Sequence, residues 1–228
     1  MREIVLDTET TGLDPAQGHR IVEIGAVELF NHIATGRTYH VYLNPERDMP
    51  KEAEAVHGLS SAFLKDKQRF ANQADDFLSF IGDATLVIHN AGFDMSFINA
   101  ELGYTGKLAV PMHRVIDTLG LARKTHPMGP NSLDALCKRY GVDNSRRTKH
   151  GALLDSELLA EVYLEMIGGK QTSFGLGDLP RRSKTVFAVT GSLQIARPAP
   201  LSSRLTDAER QAHAAAIAAL GAAAIWNS

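Results

Sequence analysis

Two carboxylates stand close to the start of the chain, Asp7 and Glu9 in Leu6-Asp7-Thr8-Glu9-Thr10-Thr11-Gly12-Leu13. They follow an apolar, β-branched run, Glu3 to Leu6, that reads as a strand. The two-residue period of a strand puts both acids on one face. Carboxylates held that close repel each other unless a cation lies between them. An oxygen-rich site of this kind suits Mg²⁺ or Mn²⁺ better than zinc. Alone, the pair also fits an exposed strand end; two more acids and a histidine narrow the choice. Asp94 lies in His89-Asn90-Ala91-Gly92-Phe93-Asp94, at a strand-to-helix junction. Asp155 lies in His150-Gly151-Ala152-Leu153-Leu154-Asp155, inside an amphipathic helix whose Leu153, Leu154, Leu158, Leu159 and Val162 form apolar surface. An acid beside such a surface costs stability unless it is paired or bound to metal. His150 sits on the loop leading to that helix, and imidazole titrates near neutral pH, as a general base should.

The elements that must position these groups follow from periodicity and turn residues. Strands are expected at Glu3 to Leu6, Arg20 to Phe30 and Thr38 to Leu43, with Asn31, His32 and Gly36 in the turn between the last two. Helices are expected over Pro50 to Leu59 and Ala71 to Ile81, a short buried strand over Thr85 to His89, and a helix over Asp94 to Leu102. A last short strand at Val115 to Thr118 precedes helices at Ser132 to Tyr140 and Ala152 to Ile167. That order predicts an α/β domain over 1–167 with a mixed five-stranded sheet flanked by helices. The texture changes at Gly168-Gly169: residues 168–185, rich in Gly, Ser, Pro and basic residues, read as a flexible linker. Residues 186–228 form a C-terminal extension with an Ala-rich helix that begins at the capping box Thr206-Asp207-Ala208-Glu209. This extension is too short to close a substantial core of its own.

With 228 residues and 44% hydrophobic content the chain suits one globular domain and an appendage. No apolar run is long enough to span a bilayer, and the first residues do not read as a signal peptide. The single cysteine, Cys137, excludes an internal disulfide and fits a reducing cytoplasm; it reads as a small helix residue rather than a nucleophile. The formal net charge is −2. A protein that grips nucleic acid unaided is usually basic. Either the substrate is not a nucleic acid, or something else holds the nucleic acid in place.

Asp7-x-Glu9, Asp94 and His150-x4-Asp155 resemble, in order and local context, the DEDDh family of 3′–5′ exonucleases, over roughly residues 3 to 167. The resemblance implies a ribonuclease H-like fold and hydrolysis of a phosphodiester with two Mg²⁺ or Mn²⁺ ions. Asp7 would bridge both ions, Glu9 and Asp155 would join it at one, and Asp94 would hold the second. His150 would be the general base. The same resemblance assigns Thr8, Glu9 and Thr10 to the terminal sugar, and Leu13 and His57 (in Val56-His57-Gly58-Leu59) to the last base. Asn90 and Phe93 would shape the pocket, although Phe93 also fits a core position. Arg146, Arg147 and Lys149 are either phosphate contacts or a solvated basic loop.

The core does not distinguish DNA proofreaders from RNA-trimming relatives, but the tail and the charge do. A subunit tethered to a polymerase needs no basic track of its own, because the assembly supplies single-stranded DNA ends at high local concentration. Gln171-Thr172-Ser173-Phe174-Gly175-Leu176 resembles the sliding-clamp-binding peptide of proofreading (epsilon) subunits of bacterial DNA polymerase III, with Gln171, Phe174 and Leu176 as anchors. The Ala-rich helix and Trp226 resemble a segment that binds the polymerase alpha subunit. The expectation is therefore a proofreading 3′–5′ exonuclease that releases 5′-mononucleotides. The alternatives are an autonomous exonuclease of the same family acting on RNA or DNA ends, or a non-enzymatic scaffold. The scaffold would be expected to lack at least one acid, and all four are present.

Overall fold

The computed structural model describes residues 1–147, 149–168 and 206–220. The chain divides into two compact units, with the last helix in the second. In the first unit, β1 (Arg2–Thr10), β2 (Ile21–Phe30) and β3 (Ile33–Tyr42) form an antiparallel meander. On the other side of β1, β4 (Thr85–Ile88) and β5 (Val115–Asp117) add in parallel, giving the mixed order β3-β2-β1-β4-β5. The helices are α1 (Lys51–His57), α2 (Ser61–Leu64), α3 (Phe70–Ile81), α4 (Ala91–Tyr104), α5 (Thr118–Thr125), α6 (Leu133–Tyr140) and α7 (Ala152–Met166). This is the expected α/β architecture.

Alternation along the central strand sends its side chains into two different cores. Ile4 and Leu6 pack with Phe70, Phe77 and Ile81 of α3 and with Met95, Ile98 and Leu102 of α4. Val5 packs on the opposite face, with Val27, Leu29 and Val87 and with Leu159 and Tyr163 of α7. Helix α7 is covered on its other side as well, where Leu158 and Val162 meet Leu136 and Cys137 of α6. It is thus a helix buried on two sides rather than a simple amphipathic one. Cys137 is fully buried, as its reading as a packing residue requires, and burial pushes its thiol up to about 11.

Several local features differ from the sequence reading, among them the short helix α2, which falls between the two helices expected there. The β2–β3 turn is two residues long, because Asn31 and His32 both take left-handed backbone angles (φ 50° and 64°) and close a tight hairpin. Strand β3 therefore begins at Ile33, with Gly36 inside it rather than in the turn. Helix α5 was not expected, since Gly120 interrupts a short segment that has no strong apolar period. What starts it is Asp117, whose carboxylate accepts from Leu119 N at 3.0 Å as an N-cap.

In the second unit, α8 (Asp207–Leu220) is present where the capping box places it. Thr206 Oγ1 accepts from Glu209 N at 3.3 Å, and Glu209 Oε2 accepts from Thr206 N at 2.8 Å. Gln171, Phe174, Leu176 and Trp226, with the segment 186–205, lie outside the described residues. Among the described residues no helix is long and apolar enough to cross a membrane.

Candidate active site

The four acids arrive from three elements. Asp7 and Glu9 stand at the C-terminal end of β1. Asp94 lies in the first turn of α4 and Asp155 in the first turn of α7. Both helices thus present an acid where the helix dipole favours negative charge. The two helices flank opposite faces of the sheet, so the site forms at the strand end, where acids from both sides can meet. One glycine makes the approach of α7 possible. Gly25 pairs with Asp7 across the β1–β2 ladder. A Cβ on it would lie 2.1 Å from Leu153 N and 2.2 Å from the Ala152 carbonyl carbon. Ser156 Oγ locks the contact by donating to Gly25 O at 2.9 Å. Any larger residue at position 25 would push the start of α7, and Asp155 with it, away from Asp7.

Asp7, Glu9, Asp94, His150 and Asp155 line one cavity of about 320 Å³, together with His89, Asn90, Phe93, Asp134 and Arg147. Glu9, His150 and Asp155 each present one ligand atom within 4.8 Å of the others. The carboxylates carry the electrostatic signature of a cation site. Asp7 opens partly onto the cleft, yet its carboxyl lies deep among protein atoms. This burial, then the charges of Asp94, Glu9 and Asp155, raise it well above the usual carboxylate range. Burial, followed by Asp155, Glu23 and Asp94, pushes Glu9 up to about 8. Asp94 rises to about 7, chiefly through burial, despite hydrogen bonds that favour its charged form. Such groups are stable together only if protonated or if positive charge joins them. The donor set, carboxylate oxygens and one imidazole, fits Mg²⁺ or Mn²⁺.

The remaining expected residues fall into distinct places. Thr8 points to the α4 side, where its N–H and Oγ1 both donate to Asp94 Oδ1, at 3.1 and 2.7 Å. Thr8 therefore acts on the site by orienting Asp94. Thr10 Oγ1 donates to Gly12 O at 2.6 Å, bracing the turn after β1. Thr8, Glu9, Thr10, Leu13, His57 and Phe93 also line an adjoining hollow of about 530 Å³. Leu13 is 84% exposed there, whereas His57 is buried. His57 Nδ1 accepts from Leu59 N at 3.0 Å, and Nε2 has no hydrogen-bond partner. Burial holds the His57 imidazole below its ordinary pKa, opposed by a backbone contact from Thr10 that falls outside hydrogen-bond geometry. Phe93 stacks at a tilt on Phe97, with ring centroids 5.1 Å apart, while still lining both hollows. Its core and pocket readings are thus compatible. Asn90, exposed at the head of α4, takes a left-handed conformation (φ 61°), and Asp117 Oδ1 accepts from its N–H at 3.1 Å.

Arg147 is not the solvated loop residue that one of its two sequence readings makes it: its side chain is 8% exposed and reaches into the acidic cleft. Nε donates to Asp155 Oδ1 at 2.6 Å and Nη2 to Asp155 Oδ2 at 2.7 Å. Nη2 also meets His150 Nδ1 at 2.7 Å, and Nη1 donates to Asp134 Oδ2 at 2.9 Å. Sequence could not choose Arg147 over Arg146 and Lys149, both of which are exposed.

Residues 4–163 match the family model described as an exonuclease. Over 181 residues the chain is 57% identical to DNA polymerase III subunit epsilon of Rickettsia conorii, covering 78% of this chain and 79% of that protein. The Escherichia coli DNA polymerase III subunit epsilon is 53% identical over 180 residues, 75% of this chain and 73% of that one. The nuclease domain of 3′hExo, a DEDDh family member solved bound to rAMP, superposes with a TM-score of 0.63 at 17% identity, over 73% of this chain and 91% of that one. At that identity the likeness is one of fold, and the fold is ribonuclease H-like. The chain therefore belongs to the exonuclease family, among the DNA polymerase III epsilon subunits, and is a 3′–5′ exonuclease.

Proposed function

We propose that this exonuclease removes mispaired 3′-terminal nucleotides from DNA as 5′-mononucleotides while bound to the replicative polymerase, in the cytoplasm. The observation that carries the reading is the meeting of Asp7, Glu9, Asp94, Asp155 and His150 in one cavity, with Asp7, Glu9 and Asp94 raised by burial and by neighbouring carboxylates. Asp7, Glu9, Asp94 and Asp155 would hold two divalent ions, Mg²⁺ or Mn²⁺. When bound, such a pair neutralises phosphate charge and makes water a stronger nucleophile. His150 would take the proton from the attacking water, as its position beside Glu9 and Asp155 allows. Thr8 keeps Asp94 oriented, and Glu9 and Thr10 would border the terminal sugar. Leu13, His57 and Phe93 would receive the frayed last base in the adjoining hollow, with Asn90 shaping the pocket from the acidic cavity, which favours an unpaired end over a stacked one.

The assembly roles rest on sequence. Gln171, Phe174 and Leu176 would engage the sliding clamp, and the segment 186–228, with Trp226 as an anchor, would dock on the polymerase alpha subunit. This arrangement agrees with the net charge of −2, because the partners would supply the grip on DNA. The test is a primer-template with one mispaired 3′ nucleotide, offered to the chain reconstituted with its polymerase and Mg²⁺. Shortening by single nucleotides from the 3′ end, faster for the mispair than for the matched end, is expected. Internal cutting, or equal rates on both ends, contradicts the proposal.

A further inference from the structure

The Arg147 guanidinium occupies the place where a cation is needed. It covers both oxygens of Asp155, at 2.6 and 2.7 Å, in the bidentate geometry characteristic of arginine. The same Nη2 reaches His150 Nδ1 at 2.7 Å. A guanidinium nitrogen can only donate, so His150 Nδ1 accepts, and the lone pair that would receive a proton on this side is engaged. The side chain is nearly buried, so these contacts are shielded from water. One arginine thus holds both the carboxylate and the imidazole proposed for the reaction.

We propose that Arg147 is an internal stand-in for the metal, a positioning residue that clamps Asp155 and His150 in the metal-free site and must leave Asp155 for an ion to be held there. The inference rests on the metal-binding reading of the acids. A divalent ion on Asp155 and a guanidinium on the same oxygens are like charges at contact distance, and they repel. A lysine could relieve that conflict by losing its proton, but an arginine keeps its charge and has to move. Asp134 supplies the place to move to. It lies in the first turn of α6, its side chain is 58% exposed, and its Oδ2 already accepts from Arg147 Nη1 at 2.9 Å. Rotation about that contact releases Asp155 and the His150 lone pair together while the arginine keeps one carboxylate partner. The clamp would hold Asp155 and His150 in place until an ion arrives and set the threshold of metal concentration at which Arg147 leaves.

The test is Mn²⁺ binding to the full chain without DNA, followed by calorimetry or by the loss of the free-Mn²⁺ paramagnetic signal. Arg147→Gln removes the competing charge, so it should bind Mn²⁺ at least about fivefold more tightly than the native chain, a typical size for coupling between two mutually exclusive events. Its metal-free form should melt lower, and its metal-loaded form should recover most of the difference. A merely structural arginine would lower both melting points alike and leave Mn²⁺ affinity unchanged, which overturns the proposal. Asp134→Asn, at an exposed position, gives the independent arm, with its melting temperature measured beside the native chain. Without its second carboxylate Arg147 stays on Asp155, and Mn²⁺ binding should weaken; tighter binding overturns the proposal. If the native chain binds no Mn²⁺ at all, the metal reading of the site fails first, and the clamp with it.

Discussion

The strand half and the helix half of the site carry the same kind of group under opposite conditions. On β1, Asp7 and Glu9 are pushed upward by burial and by neighbouring carboxylates, with Arg147 only partly offsetting them. On α7, Asp155 is met by a guanidinium on both oxygens, and that pairing in turn raises the arginine well above its ordinary value. One half stores repulsion and the other has it neutralised from within. Within one acid cluster, then, a single member takes a cation from the chain itself while the others keep their mutual repulsion.

The largest expected effect tests whether the halves are equal in function. Asp7→Ala and Asp155→Ala should each reduce exonuclease turnover to background, since both remove a proposed ion ligand. Activity persisting in either variant would assign the site to the other half alone. His150→Gln should lower the catalytic rate by roughly 10²-fold or more with little change in affinity for single-stranded DNA. A near-native rate at saturating metal would leave His150 a positioning role through its contacts with Arg147 and Asp155.

The halves should differ in stability. Without metal, Asp7→Asn relieves repulsion and should raise the melting temperature, while Asp155→Asn strips Arg147 of its partner and should lower it. A change of ~1–2 kcal/mol would move the midpoint of a chain this size by roughly 2–8 °C. Shifts of the same sign would show that Arg147 does not distinguish the halves.

The pH dependence sharpens the same point. Glu9 has its folded value raised from 4.5 to about 8 and Asp94 from 3.8 to about 7. Between the unfolded and folded values the native state holds more protons than the unfolded one, so this contribution to stability is full below the lower value and is lost as pH rises through the upper. The metal-free protein should melt at lower temperature as pH goes from about 5 to 8. Saturating Mg²⁺ or Mn²⁺, which binds the deprotonated acids, should flatten or reverse that slope. An unchanged slope in metal would mean that these two acids do not receive the ion. The smallest effect belongs to the tail: truncation after Gly168 should leave the rate on free single strands within about twofold of native, because the four acids and His150 all lie before it.

Much of this was legible in the sequence because the acids sit at element boundaries with strong local signatures. Asp7 and Glu9 end a β-branched run, Asp94 follows a short buried strand, and the capping box at Thr206 and Glu209 fixes where α8 begins. What was not legible depends on tertiary approach. No pattern in Arg146-Arg147-Thr148-Lys149 indicates which basic side chain turns inward. No residue adjacent to Gly25 in the sequence reveals that the start of α7 will press against it. Helix α5 was hidden because its start is set by one capping carboxylate, Asp117, rather than by apolar period. The sequence resemblance sets Thr8 beside the substrate, and only the fold shows its hydroxyl and N–H both directed at Asp94.

The most direct test of the account is digestion of a 5′-labelled single-stranded DNA by the purified chain, first in chelator and then with Mn²⁺ restored. The account predicts an intact strand in chelator. On addition of metal it predicts a ladder shortening from the 3′ end with release of 5′-mononucleotides, and no ladder from Asp7→Ala under either condition. Shortening in chelator, or a ladder from Asp7→Ala, would contradict it.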